Sequence, residues 1–184
     1  MENIYLTGTE ESAESTVGSF VGNLPELVGS MMVDPRTLVA IASFDDERYV
    51  QFWLESSHYL VAEVISNLNI GDAVALSQHD EEQLRAMGWA EPSPGPNPNW
   101  RIEGDSVRDL ISMVKLTERA IYEVLGEHPK NRVRLRTFPV ERAGKTTDEA
   151  RNSLRVYQDS EVALTDDLRA ATGVPEWFSD LDGE

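Results

Sequence analysis

The sequence predicts an α+β domain: an antiparallel meander sheet packed with an N-terminal helix and a long second helix. Three observations predict it. Thr37–Phe44, Tyr49–Ser56 and Tyr59–Ser66 are runs rich in Val, Ile, Tyr, Phe and Trp, and β-branched and aromatic residues favour strands. The breaks between them, Asp45 to Arg48 and Ser56 to His58, are too short for a parallel crossover. Two apolar stripes at three- and four-residue steps, one before the meander and one after it, have the periodicity of amphipathic helices.

The first stripe comprises Val17, Phe20, Val21, Leu24, Leu27, Val28 and Met31. Pro25 interrupts it, because proline lacks an amide donor and clashes with the preceding turn. The helix should kink or restart there, with Asn23 as the new cap. Asp34-Pro35 ends it. The residues before the stripe are read as a polar start. In the middle strand Val50, Phe52 and Leu54 alternate with Tyr49, Gln51, Trp53 and Glu55, so the first set is the core face.

Ser77 can cap a short helix, Gln78 to Met87, whose first turn holds Asp80, Glu81 and Glu82 where the helix dipole favours acids. Gly88 closes it in a left-handed conformation. Four prolines between Pro92 and Pro98 exclude regular structure, and Trp100–Glu103 reads as a further strand. Gly104-Asp105-Ser106 opens the long helix, with Val107, Leu110, Ile111, Val114, Ile121, Val124 and Leu125 on one face and Gly126 and Pro129 as its stop. Val133 and Leu135 alternate with Arg132, Arg134 and Arg136, which suits an edge strand with one basic face. Residues 147–172 look weakly helical.

At 184 residues a folded chain hides roughly 70% of the surface its unfolded form exposes, enough for a core without staples. There is no cysteine, which removes disulfides, thiolate zinc sites, iron–sulfur clusters and thiol catalysis, and fits a reducing, cytoplasmic setting. The opening MENIYLTGTEESAES lacks the basic and apolar regions of a signal peptide, and no segment approaches the roughly 20 apolar residues of a membrane span. The net charge of −17 argues against a protein that coats nucleic acid. That charge is unevenly spread: −15 over residues 1–129, +5 over 130–155 and −7 over 159–184. The division suggests a body of 1–129 followed by an extension, 130–184, with a basic segment and an acidic, aromatic tail around Trp177 and Phe178 that could contact the basic segment.

Motifs for chemistry are sparse. Gly144-Lys145-Thr146 resembles the end of a phosphate-binding loop, but the pattern needs glycine at 139, which is proline. Lys145 and Thr146 remain the candidate phosphate-binding residues of an alternative reading, a nucleotide- or phosphate-binding regulator. His58, His79 and His128 share no metal-ligand spacing. No catalytic set, metal site or cofactor is expected. The second face of the sheet is more informative. Tyr49 and Trp53 on it demand cover, either from a helix or from a bound partner.

The stretches Arg48 to Phe52, Leu60 to Val64 with Ser66-Asn67, and Leu84 to Trp89 with a proline loop ending in Asn99-Trp100 resemble the bacterial YbjN-like and type III secretion chaperone superfamily. The likeness is closest to its actinobacterial peptide-binding chaperone-like branch. It covers about residues 10–126. It implies a type III secretion chaperone-like α+β domain that is non-enzymatic, dimeric in many members, and binds an extended client peptide along its sheet and helix surface. On that implication the peptide-binding candidates are Tyr49, Trp53, Trp89 and Trp100, acting through strand addition at a sheet edge and pockets between aromatics.

Overall fold

The computed structural model describes residues 11–33, 37–44, 48–56, 59–69, 75–94, 98–139 and 170. Its centre is one six-stranded antiparallel sheet of β1 (Glu11–Thr16), β2 (Thr37–Phe44), β3 (Tyr49–Ser56), β4 (Tyr59–Val64), β5 (Trp100–Gly104) and β6 (Arg132–Pro139), in the spatial order β1-β6-β2-β3-β4-β5. The meander β2-β3-β4 forms where the strand-rich runs place it. The N-terminal stripe folds as two helices, α1 (Val17–Gly22) and α2 (Leu24–Val33). Asn23 ends the first, its amide donating to Ser19 and Phe20 carbonyls, and its own carbonyl accepts from Leu27 at 3.0 Å as the second begins.

α3 (Gln78–Met87) carries a capping box, with Ser77 Oγ accepting from the Asp80 amide and Asp80 accepting from the Ser77 amide. Gly88 ends it at φ 96°, in the left-handed region. α4 (Val107–Arg119) starts with the same device, Ser106 with Asp109. It then widens into a π-helical turn, Ala120–Val124, and stops at Gly126, φ 68°.

Every one of these helices contributes to a single core. Phe20, Val28, Met31, Leu84, Leu110, Met113 and Ile121 pack with Ala42, Phe52, Leu60, Val64, Trp100 and Val133. α1/α2 and α4 therefore lie on the same side of the sheet, with α2 touching both α4 and β2 while α4 also touches β4 and β5.

Two expectations change. The polar start contains a strand: β1 pairs with β6 along its whole length, Glu14 opposite Arg134 and Ser12 opposite Arg136. Its sequence, ESAEST, has no apolar alternation, so pairing with an arginine strand rather than burial of its own side chains holds it. β6, expected at an edge, is internal, with β1 on one side and β2 on the other. The basic strand therefore belongs to the same sheet as the meander rather than to an appendage. Apart from Ala170, which is helical, the stretch read as weakly helical lies outside the described residues, as does the acidic tail.

Candidate functional site

Strand alternation divides the sheet into two surfaces. Ala40, Ala42, Phe44, Val50, Phe52, Leu54, Leu60, Ala62 and Val64 point toward the helices and are buried. Their neighbours form a second surface, which no described helix covers. Cross-strand pairing fixes its layout: Phe138, Val39, Trp53 and Val61 make one row, and Arg136, Ile41, Gln51 and Glu63 the next. A third row holds Arg134, Ser43 and Tyr49. Val39, Ile41, Tyr49 and Trp53 are each partly exposed.

The β4 side of this surface is polar but closed. Glu63 is only 2% exposed, and a buried carboxylate is costly unless it is hydrogen-bonded. Gln51 Nε2 donates to Glu63 Oε2, and Asn99 Nδ2 donates to the same oxygen at 3.2 Å. The Asn99 amide also reaches the Tyr49 hydroxyl at 3.1 Å, and Asn99 Oδ1 accepts from Asn69 Nδ2 at 2.9 Å. Ser66 Oγ donates to the Pro98 carbonyl. These contacts fasten the end of the proline loop onto the sheet and hold Tyr49 by its hydroxyl, leaving its ring at the surface. Arg101, opposite Glu63 on β5, lies over the Trp53 ring at 5.2 Å and bonds Glu103 at 3.1 Å. Trp53 Nε1 is shielded and has no acceptor among the described residues.

The β1/β6 side is basic. The Arg132 and Arg134 guanidiniums both donate to Glu14, the second at 2.9 Å. Those bonds, Arg134 foremost, hold the Glu14 carboxyl below its ordinary range. Arg136 lies over the Phe138 ring at 6.0 Å.

The four aromatic candidates separate into two pairs. Tyr49 and Trp53 share the uncovered surface, four residues apart on β3 with Gln51 between them. Trp89 and Trp100 are 3% and 1% exposed and belong to the core; Arg85 lies over the Trp100 ring at 5.8 Å. Trp100 faces the helices because it pairs with Val64, the inward side of β4. Lys145 and Thr146 lie outside the described residues. The sequence reading missed the Gln51–Glu63–Asn99 network. Its signal was present in the hairpin register, which sets Gln51 opposite Glu63, and in the Asn99-Trp100 dipeptide, where consecutive residues must face opposite ways.

The two sheet edges differ as well. β5 is partly closed, because Ala90 and Arg101 exchange both backbone hydrogen bonds, at 2.8 and 3.1 Å. β1 has exposed side chains from Ser12 to Thr16, but it stands three strands from β3, about 14 Å away.

An antiparallel six-stranded sheet with its helices on one side and a partly exposed aromatic surface on the other fits a protein-interaction domain of the chaperone type. Residues 14–137 match the family described as T3SS (YopN, CesT) and YbjN peptide-binding chaperone 3, and the chain belongs to that family. No curated protein and no solved structure matches it. Among the described residues, no helix is long and apolar enough to cross a membrane.

Proposed function

We propose that this chain is a non-catalytic, peptide-binding module of chaperone type, which holds an extended client segment across the uncovered surface of its sheet. One observation carries this reading: Tyr49 and Trp53 are presented on a rigid strand, next to Ile41, and none of the three joins the core that the helices form on the other side of the sheet. Aromatic rings held by the fold lose little freedom on binding, and such anchors dominate peptide interfaces. The family match supports the same reading.

Face binding is favoured over strand addition with aromatic pockets. A peptide added outside β1 would lie about four strand spacings, roughly 19 Å, from Trp53. At β5 the bridge to Ala90 occupies the backbone groups of Arg101. Trp89 and Trp100 then act from the core, shaping the β5 end rather than touching the client. Absence of cysteine suits work in the cytoplasm.

The test is selection of a random twelve-residue peptide library on the full-length protein, followed by affinity measurement of the enriched peptides. Trp53→Ala should weaken binding by about thirtyfold, the loss typical of a hot-spot aromatic, with an unchanged far-ultraviolet circular dichroism spectrum. Undiminished affinity in a folded Trp53→Ala variant would remove this surface from the site.

A further inference from the structure

We infer that the client segment is acidic, and that the β1/β6 end of the uncovered surface recognises carboxylates spaced two residues apart. The inference rests on the peptide-binding reading above and adds the chemistry of the peptide. On a protein of net charge −17, β6 brings Arg132, Arg134 and Arg136 onto one face. Their alternation with Val133, which is buried, and Leu135, which packs on the core, leaves them no other direction. The Arg132 and Arg134 side chains are 70% and 61% exposed. Among the described residues, Glu14 is the one carboxylate paired with either of them. One acceptor therefore serves two guanidiniums, each of which carries five donors in a fork that matches carboxylate geometry.

Successive arginines on one strand stand about 6.8 Å apart, and so do side chains at alternate positions of an extended peptide. Such a peptide running along β6 sets its carboxylates over the arginines in register. Arg136, over the Phe138 ring, joins this charged row to the apolar centre of Ile41, Val39 and Trp53. The occupant is thus an extended segment with Asp or Glu at alternate positions beside an apolar or aromatic residue. Glu14 already sits where one of those carboxylates would bind. A nucleic acid is the poorer match: the row is short, contains a carboxylate, and borders an aliphatic patch on an acidic body, whereas phosphate recognition depends on neutralising many charges at once.

The experiment measures fluorescence anisotropy of labelled twelve-residue peptides with full-length protein. One peptide carries Glu at alternate positions next to Leu and Phe, its twin carries Gln instead, and the third probe is a single-stranded oligonucleotide. The Glu peptide should bind about tenfold tighter than the Gln twin, as charge-assisted bonds would give. That advantage should vanish in Arg134→Gln and grow severalfold in Glu14→Gln, which frees both guanidiniums. Equal affinity for the two peptides, both weakened by Trp53→Ala, would overturn the acidic preference and leave the binding surface standing. Failure of both peptides would overturn the inference together with the reading beneath it. Oligonucleotide binding that Arg134→Gln abolishes and the Glu peptide does not displace would assign the row to nucleic acid instead.

Discussion

Phe52 and Trp53 are neighbours on β3, yet one is fully buried beneath helices while the other is partly exposed with Arg101 stacked on its ring. The covered surface is uniform: small and large apolar side chains interdigitate with α1, α2 and α4, and shape alone decides what fits. The uncovered surface is partitioned into a closed polar network at β4, an apolar middle, and an arginine row at β6. Stability resides mainly on one side of the sheet, and the proposed recognition surface is the other.

Substitutions on the two sides should separate accordingly. Phe52→Ala should cost about 3–5 kcal/mol in urea unfolding, whereas Trp53→Ala, which removes a partly exposed ring, should cost about 1 kcal/mol. Equal losses would mean that the uncovered surface is as much core as its opposite. Asn99→Ala should cost an intermediate amount, about 1–3 kcal/mol, because it takes donors from the buried Glu63 carboxylate and the Tyr49 hydroxyl. It should also alter peptide affinity by loosening Tyr49, an effect Phe52→Val would not produce in the fraction that stays folded.

The smallest effect is one of pH. The Glu14 carboxyl is held below its ordinary 4.5 by the Arg134 and Arg132 donors. Folding thus favours its ionised form, a contribution fully present above the unfolded value and lost as pH falls through the depressed folded one. Hydrogen exchange of the β1 amides should accelerate over that acid range in the wild type. In Glu14→Gln the dependence should flatten.

How much was readable beforehand depended on the range of the interactions involved. α3 was legible to the residue because its signals are local: Ser77 and Asp80 cap each other and Gly88 takes a conformation other residues avoid. β2, β3 and β4 were legible because alternation and short turns leave one antiparallel solution. β1 was not, since six polar residues carry no strand signal and their partner lies more than a hundred residues downstream. β6 was recognised as a strand but misplaced at an edge, because nothing local says what flanks it. At the site, alternation put Tyr49, Gln51 and Trp53 on one surface. It could not say that Trp89 and Trp100 sit in the core, which depends on the pairing of β5 with β4 and on the packing of α3.

The insertion of β6 between β1 and β2 also governs how the chain can be built. The pairing of Ser43 with Arg134 spans about ninety residues, and such long closures make folding slow. During synthesis the meander, α3 and α4 emerge first. β2 then has no neighbour on its far side and β1 no partner at all until residues 132–139 leave the ribosome. Until then the chain carries an open strand edge. Any translational pause or truncation ahead of β6 would prolong that exposure.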